Sequence, residues 1–203
     1  MLDLLDRKLR AFIYCEKAAD VMKAIEIHEK HKLDSVLVLS PECYKAAAFI
    51  AQKKLPVILD AQLIAWETDE QTDTEEMKVN PRIFSKAGVK FALQNDTSQY
   101  GARYLWYQAA TAVKHGVKRA EALKAVTLYP AQMIGVDKRF GSIEPGKDAR
   151  LLFLTGDPLD AQTWVNQVMI KGEFVYEKDK DVRLKKLLET PKSEKKEKKD
   201  QPK

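Results

Sequence analysis

Only two cysteines and three histidines occur in 203 residues, and no apolar run approaches the length of a membrane span. Cys15 and Cys43 are too few for a disulfide framework, which removes the small, stapled secreted domains from consideration. A bilayer-crossing helix needs roughly 18 to 20 apolar residues, so no membrane partner is expected. The N-terminus, "MLDLLDRKLRAF", lacks the uninterrupted apolar core of a signal peptide. The expected compartment is therefore the cytoplasm.

A single-signed charge excess is also missing from the body of the chain. The formal charge is +5, but the last twelve residues, "KSEKKEKKDQPK", hold six lysines against three acids and supply +3 of it. The rest is nearly balanced, so no folded basic face and no nucleic-acid partner are implied. Residues 179–203 read as a charged segment, a short amphipathic helix in "EKDKDVRLKKLLE" followed by a tail whose last twelve residues are most plainly solvated, with weak attraction to polyanions as the other reading. At 45% hydrophobic residues, the remainder can bury a substantial core.

What is present is an alternation of short apolar runs with helical spacing. "RAFIY" (10–14) precedes "KAADVMKAIEIHEKHK", and "SVLVL" (35–39) precedes "PECYKAAAFIAQKK", whose Pro41 and Glu42 suit a first helical turn. "LPVIL" (55–59) leads into a longer polar loop. "GVKFAL" (88–93) leads into the helical stretch "YGARYLWYQAATAVKHG". Continuous β-branched runs separated by helices predict parallel strands. About four strand-helix units fill residues 1–139, half of an eight-stranded α/β barrel, which needs about 250 residues to close.

From Phe140 the pattern changes to a small β module over 140–178. "WVNQVMIKGEFVY" predicts a hairpin turning at Lys171 and Gly172, with Val165, Val168, Ile170, Phe174 and Tyr176 suiting a sheet with one buried face.

Four motifs follow in order: Thr127, Pro130, Ala131 and Gly135; Gly141 to Ala149; Gly156 to Leu159; and Val168 with Gly172. They match "T-x-x-P-A-x-x-x-G", "G-S-I-x-P-G-K-x-A-D", "G-D-P-L" and "V-x-x-G", and through them the chain resembles the C-terminal portion of the amidohydrolase superfamily, particularly its imidazolonepropionase-related members. Arg150 stands where that family has aspartate. The resemblance implies an α/β fold, a partial (β/α) barrel followed by part of a β-sandwich, and hydrolysis of non-peptide carbon-nitrogen bonds by a water activated on a divalent metal, zinc above all. It also implies a last-strand aspartate, which Asp96 in "VKFALQNDTSQYG" matches by position.

The family's metal ligands have no such match. No H-x-H pair occurs, and the barrel's first strands have no counterpart before residue 10. At the ends of the strands where histidines belong stand Tyr14, Cys15, Glu16, Ser40, Glu42 and Cys43. Asp96, Glu16 and Cys15 are the candidate metal ligands, and Asp96 the candidate catalytic group. Set against these are plainer roles: a helix cap or Asx turn for Asp96 in "NDTSQYG", and small buried thiols for the cysteines. His28 and His31 fall on a helix outside H-E-x-x-H spacing and read as a solvated face. His115, before Gly116, reads as a helix C-cap, and Tyr100, Tyr104, Trp106 and Tyr107 as helix packing.

Half a barrel exposes apolar strand edges, so the expected partner is a second copy of the chain or a complementing N-terminal half. A non-catalytic subunit that completes another chain is the alternative to an enzyme.

Overall fold

The structure is a computed structural model that describes residues 2–96 and 104–188. In chain order the elements are α1 (Leu2–Leu5), β1 (Ala11–Cys15), α2 (Ala18–His31), β2 (Ser35–Leu39), a 3₁₀ helix (Pro41–Ala46), α3 (Ala47–Lys53), β3 (Val57–Leu59), β4 (Ile64–Asp69), β5 (Thr74–Val79), α4 (Asn80–Lys86) and β6 (Phe91–Leu93). They continue with α5 (Leu105–Lys114), α6 (Arg119–Ala125), α7 (Leu128–Met133), β7 (Arg150–Leu154), β8 (Val165–Ile170), β9 (Glu173–Glu177), a short 3₁₀ turn and α8 (Val182–Leu188).

The four expected strands form one parallel sheet in the order β1-β2-β3-β6, with Tyr14 beside Val38, Ile58 beside Val38, and Ala92 beside Ile58. Alternation along each strand divides the sheet into two faces. Cys15, Leu37, Leu39, Val57, Leu59, Phe91 and Leu93 point to one face, where they pack with Val21 and Ile25 of α2, Ile50 of α3, Phe84 of α4 and the alanines of α5 and α6. On the other face Val36 and Ala92 pack with Ile58, Met133 and Tyr129. Met133 belongs to α7, which thus covers the N-terminal part of this second face.

Arg10 fixes that cover. Its guanidinium donates to the backbone carbonyls of Gln132 (2.6 Å) and Met133 (2.7 Å) and pairs with Asp34 (2.8 Å). The final carbonyls of α7 are therefore satisfied by a cation, as a helix C-terminus favours.

Two expectations need correction. The "longer polar loop" after β3 is an antiparallel hairpin, β4 with β5, running straight into α4. Its strands are largely exposed and acidic, so the apolar alternation that marks a half-buried strand is absent; Asp69 organises the turn by accepting from the N–H groups of Gln71 (2.8 Å) and Thr72 (3.1 Å). Second, the three-stranded antiparallel sheet β7-β8-β9 buries no face completely, and Val165, Ile170 and Phe174 stay exposed. Its hairpin does turn at Lys171 and Gly172, both at positive φ (52° and 86°), as a two-residue turn between Ile170 and Glu173 requires. Helix α8 is present; residues 189–203 of the tail lie outside the described residues.

Candidate functional site

The C-terminal ends of the parallel strands open into a cleft of about 630 Å³. The same two-residue alternation that builds the core selects its lining. Tyr14 and Glu16 leave β1 on the face opposite Cys15. Ser40 follows β2 on the face of Val38, and Asp60 follows β3 on the face of Ile58; all four line the cleft together with Asp96 beyond β6. The 3₁₀ helix contributes Glu42, Tyr44 and Lys45, and the hairpin contributes Ala65, Trp66 and Glu67.

Backbone ties hold these ends in place. Ser40 N–H donates to the carbonyl of Cys15 (3.0 Å), its hydroxyl donates to the carbonyl of Glu16, and the N–H of Asp60 donates to the carbonyl of Leu39 (3.1 Å). Asp60 also accepts from the N–H of Gln62 (2.7 Å), which turns the chain toward the hairpin. Behind them the Gln108 side chain donates to Ala61 O (2.8 Å), and that of Asn80 donates to Pro41 O (3.0 Å), anchoring the loop to α5 and the 3₁₀ helix to α4.

The electrostatics are dominated by carboxylates. Glu67 lies between Lys45 (3.3 Å) and Lys78 (3.6 Å), and the Tyr44 hydroxyl together with these lysines holds its carboxyl below the usual range. Burial, and then Glu67, pushes Tyr44 up to about 12. Desolvation raises the Tyr14 hydroxyl, with Glu16 and Asp60 adding to the shift, so both tyrosines are neutral donors at neutral pH. Glu16, Glu42, Asp60 and Asp96 share the cleft with Lys17 and Lys45.

Three sequence candidates thus separate. Asp96 and Glu16 line one cleft. Cys15 does not: it is fully buried among α2 and the 3₁₀ helix, where the thiol of Cys43 donates to its carbonyl (3.2 Å). Burial, then Cys43, pushes the Cys15 thiol up to about 11, and burial raises Cys43 as well, although its bonds to Ser40 oppose the shift. Cys15 thus lies in the core, apart from the cleft that Asp96 and Glu16 line. The cap or Asx turn expected of Asp96 in "NDTSQYG" involves residues 97–103, which, with Tyr100, lie outside the described residues; the N-cap of α5 is Tyr104. Tyr104, Trp106 and Tyr107 are exposed and stand outside the cleft, with the Trp106 ring tilted against Tyr104 and edge-on to Tyr107. His28 and His31 end α2, although the Nδ1 of His28 is buried without a partner among the described residues; His115 is the C-cap of α5.

Asp60, Tyr44, Trp66 and Glu67 were missed by sequence reasoning. Asp60 carries the same signal as Asp96, an acid closing an apolar run; the other three depend on the hairpin and the 3₁₀ turn.

The sequence profile of the Amidohydrolase family matches residues 20–175. The chain belongs to the amidohydrolase family. A solved amidohydrolase from Thermotoga maritima superposes with a TM-score of 0.72 at 33% identity, over 87% of this chain and 45% of that one. An imidazolonepropionase of Thermoplasma volcanium is 25% identical over 118 residues, 54% of this chain and 29% of the relative. An N-substituted formamide deformylase of Arthrobacter pascens is 34% identical over 110 residues, 48% and 20% respectively. This amidohydrolase chain therefore spans less than half the length of each of these three.

Proteins of the amidohydrolase family generally bind a divalent metal. The donor set here does not fit one: the strand ends present Tyr14, Glu16, Ser40, Asp60 and Asp96 with no imidazole, and no group of three His, Cys, Asp or Glu side chains among the described residues converges on a common point. Hydrogen-bonded hydroxyls and dispersed carboxylates do not form the compact nitrogen-rich or thiolate shell that zinc prefers. No described helix is long and apolar enough to cross a membrane.

Proposed function

We propose that this chain is the C-terminal part of a hydrolase for non-peptide carbon-nitrogen bonds, with Asp96 as its general base. Residues 1–139 would supply half of an α/β barrel, 140–178 part of a β-sandwich, and 179–203 a charged helix and tail. The observation that carries the reading is the position of Asp96 at the cleft formed by the C-terminal strand ends, where parallel α/β folds hold their catalytic groups.

A carboxylate there takes a proton from the attacking water as oxygen bonds to the substrate carbon; the carbon-nitrogen bond then breaks and the proton passes to the departing nitrogen. Glu16 and Asp60, facing the same cleft, orient the substrate's N–H groups, and the neutral Tyr14 hydroxyl donates to a carbonyl oxygen. No step is assigned to a metal, because the chain's own residues do not form its site. The imidazoles that the family resemblance implies would have to come from outside residues 1–203. Partial coverage of the three relatives supports that second reading, a subunit that completes a chain bearing the other strands.

The test is to mix the chain with the N-terminal part of the Thermotoga maritima amidohydrolase, the portion without a counterpart here, and to follow release of formate or acetate from N-substituted formamides and acetamides. Activity should require both polypeptides and fall by about a hundredfold or more in Asp96→Asn, the usual scale for loss of a general base. Reconstituted activity that survives the substitution would overturn the role of Asp96.

A further inference from the structure

Of the three tryptophans, Trp106 stands against Tyr104 and Tyr107, and Trp164 lies under the ammonium of Lys178 (5.2 Å). Trp66 has neither a ring nor a cation against it among the described residues, although it is 61% exposed on the wall of the strand-end cleft. Its place is nevertheless fixed. Strand β4 sets it opposite Met77 of β5, and on the other face of the strand the next residue, Glu67, pairs with Lys45 (3.3 Å) and Lys78 (3.6 Å) and accepts from the Tyr44 hydroxyl. Every one of these ties lies within residues 44–78. They fasten the hairpin to the 3₁₀ helix beside Trp66, so the indole is held at the cleft without a contact of its own. Tyr14 is a second open ring of the cleft, 62% exposed; a third, Tyr44, already has the Lys45 ammonium near its face (5.9 Å). Five carboxylates surround these rings, with Lys17 and Lys45 as the cations among the described lining residues, and Glu67 engages Lys45. Glu16 and Asp60 lie close enough to the Tyr14 hydroxyl to raise it. An aromatic face and a carboxylate select in the same direction, for positive charge and against negative.

We propose that Trp66 sets the substrate preference of this cleft, its indole lying against an ammonium or guanidinium carried on a flat or apolar part of the substrate, while Glu16 and Asp60 pair with that charge. The chain contains the same arrangement in miniature. The Lys45 ammonium is held between the Tyr44 ring and the Glu67 carboxylate, a cation met by a π face on one side and an anion on the other. Trp66 offers such a face with no cation of the chain upon it among the described residues. A substrate bearing a phosphate or carboxylate would instead bring like charge against the acids of the cleft. The inference rests on the strand-end cleft being the substrate site of the hydrolase proposed above, and it requires no step of the reaction.

The experiment titrates the full chain at neutral pH with three probes of one skeleton: phenethylamine, which is cationic, 2-phenylethanol, which is neutral, and phenylacetate, which is anionic. Binding is followed by NMR at the indole N–H signals of the three tryptophans, assigned by single Trp→Phe variants. The amine should bind more tightly than the alcohol, and the alcohol more tightly than the anion, with the Trp66 signal moving and those of Trp106 and Trp164 staying in place. Added salt should weaken the amine and leave the alcohol unchanged. Trp66→Ala should weaken the amine by about three- to thirtyfold, the scale of a cation-π contact. The ties of Glu67 survive that change; if the variant still fails to fold by circular dichroism, Trp66→Leu, which keeps apolar bulk and removes the π face, decides. Equal affinity for all three probes, a preference for phenylacetate, or no binding of the amine overturns the proposal. So does amine binding that leaves the Trp66 signal unmoved and persists in Trp66→Ala. No turnover is read, so the outcome is separate from the hydrolase test: reconstituted activity that survives Asp96→Asn counts against the role of Asp96, and an amine that does not bind counts against Trp66.

Discussion

Gly141 is the position at which a single methyl group should do most damage. Its φ is +94°, and a Cβ built there would lie 2.8 Å from Ala131 Cβ, 3.0 Å from Leu128 Cα and 3.1 Å from Thr127 O. Two of those three atoms are backbone, so no flexible side chain can swing away. The left-handed backbone alone costs a residue with a Cβ about 1 to 2 kcal/mol. Forcing α7 to shift adds an overpacking cost of about 1 to 3 kcal/mol. Gly141→Ala should therefore lose roughly 2 to 5 kcal/mol, a large part of a domain's usual 5 to 15. Gly146 is the internal control, because it also has positive φ (+87°) but nothing within 4 Å of a built Cβ. Gly146→Ala should lose only the backbone part, about 1 to 2 kcal/mol. Urea melts of both variants measure the difference. Equal losses would refute the close approach as the cause, and a Gly141→Ala change under about 0.5 kcal/mol would refute the packing of Gly141 on α7 altogether.

Two predictions concern the groups that the sequence offered as metal ligands. The purified chain, dialysed and analysed by plasma mass spectrometry, should retain far less than one equivalent of zinc; near-stoichiometric zinc lost in Glu16→Gln or Asp96→Asn would show a carboxylate site that the described geometry does not assemble. Cys15, with its thiol raised from 9.0 to about 11, gives stability that is complete below the unfolded thiol's pKa and is lost as pH rises through about 11. Urea midpoints should therefore fall between pH 9 and 11, less so in Cys15→Ala, and iodoacetamide should label Cys15 at neutral pH only when the protein unfolds; rapid labelling of the native chain would refute its burial.

The parallel strands were legible because each is a short apolar run buried on one face and often on both, and such runs read the same with or without tertiary context. The same holds for the Lys171-Gly172 turn, where both residues must adopt positive φ. The β4-β5 hairpin was not legible. Its residues, from Ile64 through Val79, are mostly charged or polar and exposed, and its pairing is fixed by Asp69 capping the turn and by Val79 and Asn80 docking beneath the 3₁₀ helix. Burial that depends on a partner distant in sequence leaves no period to read. The hairpin's invisibility also hid Trp66 and Glu67, which reach the cleft only because the strand carries them there.

Cys15 and Glu16 show where reading from sequence stops for the site itself. Both stand at the end of β1, and by composition the thiol is the better zinc ligand. A strand end has two faces, however, and neighbouring residues fall on opposite ones. The face of Cys15 is shared by the positions two and four residues earlier, Ile13, which packs against the helix-side core, and Ala11, which is buried. Phe12 and Tyr14 are equally apolar to the eye, so the pattern "AFIYC" alone cannot say which face meets the helices. The decision is made across the ladder, by Leu37 and Leu39 in register with Ile13 and Cys15 and by Ile25 and Ile50 above them. Once those contacts choose the parity of β1, everything at the cleft follows from it. Tyr14 and Glu16 must face the cleft, Cys15 must lie in the core, and the backbone groups turned away from β2 must belong to Phe12 and Tyr14. A single-residue slip of β1 against β2 would exchange all three assignments at once and would bury Tyr14 and Glu16 among the leucines, at a cost the core could not bear.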